Sequence, residues 1–147
     1  MPTFDVSRST VINASPAEVF AEVREFKNWP KWSPWLICDP QARLTFSDDG
    51  RRYDWEGPVS GSGFIEVTDE KEGSAIDYAL TFLKPWKSTN TVGFRFSGRD
   101  GGTEVTWTMT GELNLFMRIM GIFWPMDKMV GPDFEKGLDQ LATLAEN

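Results

Sequence analysis

Polar and apolar residues alternate from Phe4 to Asn13, with Phe4, Val6, Arg8, Thr10 and Ile12 on one side and Asp5, Ser7, Ser9, Val11 and Asn13 on the other; this period of two predicts a first strand. Ser15-Pro16-Ala17-Glu18 then reads as a helix start, with Ser15 as cap, Pro16 at the first helical position and Glu18 placed to close a capping box. Val19, Phe20, Val23 and Phe26 give this short helix its inward face, and Asn28-Trp29-Pro30 closes it. Lys31-Trp32-Ser33-Pro34-Trp35 follows as a second short helix or turn, so that Trp29, Trp32 and Trp35 crowd one corner. From residue 41 onward, runs of alternation are separated by turn signals: Asp48-Asp49-Gly50, Glu72-Gly73, Lys84-Pro85-Trp86 and Arg99-Asp100-Gly101-Gly102. These runs place Tyr53, Trp55 and Gly57 on one face, then Ile65 and Val67, then Ile76, Tyr78, Leu80 and Phe82, then Phe94 and Phe96, then Val105, Trp107, Met109 and Gly111.

The period changes near the end of the chain. Leu113 to Met126 is apolar nearly all round, which predicts a segment covered on more than one side, while Val130, Phe134, Leu138, Leu141 and Leu144 form one helical stripe. Between the two lies Gly131-Pro132. A proline inside a helix removes a donor and crowds the carbonyl four residues earlier, so a break is expected there, with Pro132 starting the final helix and Asp133 and Glu135 near its positive end. The order strand, two short helices, about six consecutive antiparallel strands, long helix predicts an α+β fold. In it a curved antiparallel sheet of about seven strands wraps around the C-terminal helix, because a sheet with one dry face must cover it and no other element is long enough. A chain of 147 residues suffices for one such domain, taken as residues 1–147.

Composition narrows the function. The 15 basic and 22 acidic residues leave a net charge of −7 with no Lys or Arg run to follow a phosphate backbone, so no nucleic-acid partner is expected. A lone Cys38 excludes an internal disulfide and fits a reducing compartment. The N-terminus is neither basic nor continuously apolar, and the longest apolar run contains Arg118 and is shorter than a membrane span, so a soluble cytoplasmic protein without stable membrane insertion is expected. With no histidine, the commonest general base and metal ligand is missing; neither a metal site nor a cofactor is expected, and no catalytic residue is assigned. The 7 Trp and 11 Phe supply wide apolar walls.

Ala14-Ser15-Pro16-Ala17-Glu18-Val19-Phe20, Trp29-Pro30-Lys31-Trp32-Ser33-Pro34-Trp35 and Thr103-Glu104-Val105-Thr106-Trp107-Thr108-Met109, in this order before a terminal helix, resemble the polyketide cyclase/dehydrase and lipid-transport family of the START-like (SRPBCC) superfamily, which also holds the birch-pollen-allergen proteins. Met126 to Leu138 is similar to the terminal helix of its bacterial members. The resemblance covers essentially the whole chain and rests on caps, turns and core positions, which mark a fold more than an activity. It implies a helix-grip fold with a deep apolar cavity between sheet and helix, used by relatives for lipids, steroids, polyketide intermediates or plant hormones.

Two function classes follow. The first is a protein that binds a hydrophobic small molecule, lipid-, steroid- or polyketide-like, in that cavity. The second is a polyketide cyclase, aromatase or dehydratase using the same cavity, with Tyr78, Arg8 or Asp127 handling protons. Candidate ligand-binding residues are Trp55, Tyr78, Phe82, Phe94, Trp107 and Met109 from the strands, Phe116, Met120, Phe123 and Trp124 from the helical segment, and Arg8. Each is also a plausible core residue, and Met117, Met120, Met126 and Met129 add adaptable lining near the expected entrance, with flexible core filling as the alternative. Arg8 has three open readings: a bulge turns it outward, an internal acid such as Glu112 or Asp127 pairs with it, or it lies at the pocket wall and receives an anionic ligand group. The oligomeric state is not legible.

Overall fold

The computed structural model describes residues 3–84, 87–112 and 126–146, with the backbone alone at 3, 112 and 126–129. Strand β1 (Thr3–Ile12) is followed by helix α1 (Pro16–Arg24), a 3-10 segment (Phe26–Lys31) and the short helix α2 (Pro34–Ile37). Strands β2 (Arg43–Phe46), β3 (Arg52–Gly57), β4 (Gly61–Lys71), β5 (Ala75–Lys84), β6 (Ser88–Arg99) and β7 (Gly102–Glu112) come next, and helix α3 (Met126–Glu146) is last. The strands form one antiparallel sheet in the order β1-β7-β6-β5-β4-β3-β2. Each neighbour from β2 to β7 is the next strand in sequence, whereas β1 pairs with the last strand, from Thr3↔Glu112 to Ile12↔Thr103. Register shifts between Ser62 and Gly63 and between Val67 and Asp69 disturb the β4/β5 ladder, the kind of irregularity by which a sheet bends. Helix α3 packs along β1 and also meets α1 and α2. This is the α+β arrangement of a sheet wrapped around a terminal helix.

Local chemistry accounts for the short elements. Ser15 caps α1, accepting from the Glu18 N–H at 3.2 Å, and its hydroxyl donates to the Glu18 carboxylate at 2.9 Å. The helix ends at Arg24, earlier than its apolar spacing suggests, because Glu25 turns extended and its carboxylate accepts from the Lys27 N–H at 3.2 Å; Phe26 therefore belongs to the 3-10 segment. Opposite this corner, the buried carboxylate of Asp39 accepts from the backbone N–H groups of Val59 and Ser60 and from the Ser60 hydroxyl at 3.1, 2.9 and 2.7 Å, tying the β3/β4 turn to the end of α2.

Two expectations are corrected. The predicted break at Gly131-Pro132 is absent: α3 runs through both residues, and Pro132 sits inside it instead of starting it. The helix forgoes the bond that an N–H at position 132 would have made to the carbonyl of Lys128, at a cost of about 3 kcal/mol. Burial of Gly131, Phe134, Gly137, Leu138 and Leu141 on the same element offsets this, each large apolar side chain contributing about 1.5 to 3 kcal/mol. The second correction concerns Arg8. No bulge turns it outward, since β1 keeps an unbroken register with Arg8 opposite Trp107, on the side of the buried Phe4, Val6 and Ile12. An acid pairs with it, but not the internal one expected: it is the exposed Glu135 of α3, at 3.0 Å from Nε, and the side chains of Glu112 and Asp127 lie outside the described residues.

Candidate functional site

The register assembles the inner face of the sheet in rows. One row runs Phe46, Tyr53, Ile65, Leu80, Asn90, Gly111, Phe4, the next Val67, Tyr78, Val92, Met109, Val6, and the next Ile76, Phe94, Trp107, Arg8. On the β2 side, Leu44, Trp55 and Phe82 extend the surface. Trp55 meets Phe82 edge to face at 5.5 Å, and Leu44, Phe46 and Phe82 remain only half-buried.

Among the described residues, two elements cover this surface, not α3 alone. Phe134 of α3 stacks on Trp107 with 4.1 Å between centroids and 7° between planes, and Trp107 stacks in turn on Phe94 at 5.0 Å. The helix comes this close at a glycine: a Cβ at Gly137 would lie 2.7 Å from Trp107 Cζ3 and 2.9 Å from Pro34 Cδ. A Cβ at Gly131 would fall on the Arg8 guanidinium, so the pair Arg8–Glu135 folds over the helix where it has no side chain. The centre of the sheet is roofed by the 3-10 segment instead, because its Pro30 and tight pitch aim Phe26 and Trp29 downward together. Trp29 lies 5.9 Å from Tyr53, 5.6 Å from Tyr78 and 6.2 Å from Phe94, and Trp32 lies 5.9 Å from Phe94 and 5.6 Å from Trp107.

Of the strand residues singled out by alternation, Trp55, Tyr78, Phe94, Trp107 and Met109 are buried on this one face, with Phe82 half-buried at its rim and Arg8 half-buried where α3 crosses. Phe116, Met120, Phe123 and Trp124 lie outside the described residues, as do the segment around Met117 and the side chains of Met126, Asp127 and Met129. Trp29, Trp32, Tyr53 and Asn90 share the face without belonging to that set. The spacing of Trp29, Trp32 and Trp35 placed them in one corner, but nothing periodic in a proline-broken turn indicates which sheet rows they cover.

The polar groups of the face are distinctive. Burial pushes the hydroxyls of Tyr53 and Tyr78 above the ordinary tyrosine value of 10.0, helped at Tyr78 by neighbouring Tyr53 and Glu70, so both stay protonated donors. The Tyr78 hydroxyl, the indole nitrogens of Trp32 and Trp107, Ser33 Oγ and Asn90 Oδ1 are buried with no hydrogen-bond partner among the described residues. At the end of the sheet, Glu70 accepts from Arg24 at 3.1 Å and from Arg51. Burial alone would raise its pKa, and these two guanidiniums outweigh that and hold it below its ordinary value. Among the described residues no three acidic, Cys or His side chains are grouped to hold a metal ion, and no helix is long and apolar enough to cross a membrane.

This geometry has relatives. The family described as polyketide cyclase/dehydrase and lipid transport matches residues 3–146. Nothing among curated proteins matches the chain. Among solved structures, protein CV1439 from Chromobacterium violaceum is similar with a TM-score of 0.72 at 15% identity, over 97% of this chain and 98% of that one. Protein MLL2253 from Mesorhizobium loti gives 0.67 at 17%, over 96% and 98%. The di-domain ARO/CYC StfQ from the steffimycin biosynthetic pathway gives 0.71 at 12%, over 98% of this chain and 51% of that one, so this chain spans about half of it. At such identities the likeness is one of fold.

Proposed function

The chain belongs to the polyketide cyclase/dehydrase and lipid-transport family, and from that premise we propose that it binds a hydrophobic small molecule, lipid-, steroid- or polyketide-like, against the inner face of its sheet. The observation that supports this is the unequal cover of that face. Helix α3 lies along β1, and the β2 to β5 side presents Leu44, Phe46 and Phe82 half-buried beside the buried Trp55. A core closed for stability alone gains from covering such side chains, whereas an apolar ligand gains from finding them. Trp55, Phe82, Tyr78, Phe94, Trp107 and Met109 are the lining residues of this reading, and Arg8 with Glu135 closes its far side.

A second reading, cyclisation or dehydration of a polyketide-like substrate, draws on one residue. Tyr78 is a protonated, buried hydroxyl with no partner among the described residues, which suits it to donate to a carbonyl that becomes an enol. The fold shared with StfQ fits this reading without selecting it.

The experiment is a titration with Nile red, an uncharged dye that brightens in apolar surroundings. The folded protein is expected to bind it at micromolar concentration and release it to a steroid or a long-chain lipid, and Phe82→Asp is expected to weaken the dye without unfolding the protein. A folded parent that leaves the dye dark would overturn the binding reading and the enzymatic one together.

A further inference from the structure

Among the described residues, the exposed large apolar side chains are Val11, Ile37, Val59 and Leu83. The last three gather at one end of the sheet, where β3 and β5 finish and β4 and β6 begin. Val59, 69% exposed, tips the turn between the paired Gly57 and Gly61. Leu83, 43% exposed, lies between the pairs Ser62↔Lys84 and Gly63↔Phe82, the extra residue at that register shift. Ile37, 42% exposed, comes two residues before Asp39, whose carboxylate is bonded to the Val59 turn. These tips are held in place: Asp39 accepts from the Val59 N–H itself at 3.1 Å, and an extra residue in a ladder re-aims side chains within a fixed frame. Single exposed apolar residues are ordinary, but three at one end, beside the half-buried Leu44 and Phe82, form a contact surface.

The charges sort the same way. Among the described residues at this end of β2 to β6, the exposed cations Arg43, Lys84 and Lys87 stand against one exposed acid, Glu56. At the opposite end the exposed acids Asp48, Asp49, Asp69, Glu72 and Asp100 outnumber the exposed Lys71 and Arg99. A chain of net charge −7 thus carries one basic end, and the same end carries the apolar tips.

We infer that this end docks on the surface of an anionic lipid bilayer, with Ile37, Val59 and Leu83 entering the headgroup layer and Arg43, Lys84 and Lys87 meeting lipid phosphates. A bilayer suits the surface better than a protein partner does, because the tips stand on three separate connections and a fluid interface takes protruding side chains without matching their shape. The charge asymmetry sets the orientation. Attraction to an anionic surface acts on cations within a Debye length of about 10 Å, so the acidic end, pointing away, is little repelled. Docking does not depend on the ligand proposed above. It does bring the less covered side of the inner face, at Leu44 and Phe82, toward the bilayer.

The test is flotation with vesicles of phosphatidylcholine containing about one third phosphatidylglycerol, compared with vesicles of phosphatidylcholine alone. The parent is expected to bind the anionic vesicles at low salt about tenfold more tightly than the neutral ones, and to weaken as salt rises. Leu83→Asp is expected to lose about tenfold, and Val59→Asp the same, the second serving if the first does not fold. Lys84→Glu should lose about tenfold while Lys71→Glu, an equal change of net charge at the far end, loses little. A folded parent that stays off anionic vesicles at low salt would overturn the inference, as would equal losses in Lys84→Glu and Lys71→Glu. Salt-sensitive binding kept by both Leu83→Asp and Val59→Asp would overturn it too, since charge alone would then be at work and an acidic protein would serve as well. Nile red titrated without vesicles separates the two proposals: a parent that brightens the dye but does not float keeps the ligand reading and loses the docking, and one that floats but leaves the dye dark does the reverse.

Discussion

Trp107 gathers more of the molecule's contacts than its position in a strand suggests. It is fully buried, with Phe134 stacked on it, Phe94 stacked on it in turn, and Trp32 and Trp35 each at 5.6 Å. Such a ring fills space that its neighbours cannot collapse to occupy, and a cavity adds to the lost transfer energy. Trp107→Ala is therefore expected to destabilise the fold by about 3 to 5 kcal/mol in urea unfolding. A loss under about 1 kcal/mol, the scale of an ordinary surface change, would show that the ring borders open space. The inward orientation of Trp107 was readable from alternation with Thr106 and Thr108. Its stacking partner was readable only as one member of a helical stripe, because sequence spacing gives a face and not the point where that face lands. Arg8 illustrates the same limit: alternation left its orientation open, and the acid across from it depended on how α3 crosses β1.

Among the elements, α3 departs furthest from local rules. Its stripe of Phe134, Leu138 and Leu141 is legible in the sequence, and its continuity through Pro132 is not, because the burial that outweighs the proline is tertiary. Pro132 is exposed and is expected to cost the helix more than it saves in chain entropy, so Pro132→Ala should raise stability by about 2 kcal/mol. Thermal unfolding checks this, and a lower melting temperature would mean that the proline ring itself is packed. The 3-10 segment and α2 carry the opposite lesson. They have no period to read, and their placement comes from side-chain ties such as Asp39. The Ser60 N–H chiefly holds the Asp39 carboxyl below its ordinary value of 3.8, against an opposing push from desolvation and with help from the Ser60 hydroxyl and the Val59 N–H. A lowered folded pKa means that this stabilisation is complete above pH 3.8 and is lost as pH falls through the folded value. Asp39→Asn is thus expected to be less stable than the parent at neutral pH and to lose less on acidification below pH 3.8, measured as urea midpoints against pH. Parallel curves for the two proteins would place the acid sensitivity elsewhere, with Glu70 the next carboxylate to test.

For the whole molecule, the sheet wrapped around a terminal helix was open to inference because every strand from β2 to β7 pairs with its sequence neighbour. The candidate site was legible as a face and not as a list. Trp55, Tyr78, Phe94, Trp107 and Met109 came from alternation, while Trp29 and Trp32, which roof them, were legible only as a crowded corner and not as the cover of particular rows. A ligand held against that face must stabilise the folded state, since the unfolded chain has no such surface. At a free concentration one hundred times its Kd the gain is about 2.7 kcal/mol. A scan with a lipid or steroid that displaces Nile red should shift the melting temperature upward in proportion to the logarithm of its concentration; no shift at saturating ligand would mean that the dye was released from a site outside the fold.

Strand β1 has one more consequence, and it lies in time. Its partner β7 is about a hundred residues away along the chain, at Thr3↔Glu112, and the helix that packs on it comes later still. On a ribosome adding about 5 to 20 residues per second, the first strand emerges roughly 5 to 20 s before anything exists for it to pair with. The strands from β2 onward can zip up hairpin by hairpin meanwhile, and the 3-10 segment made before them can roof Phe94, but Trp107 lacks the cover of Phe134 until α3 arrives. Folding is then a race between α3 and any other chain able to cover Trp107. The alternating polar residues Asp5, Ser7, Ser9 and Asn13 keep the waiting strand soluble on one side during that interval.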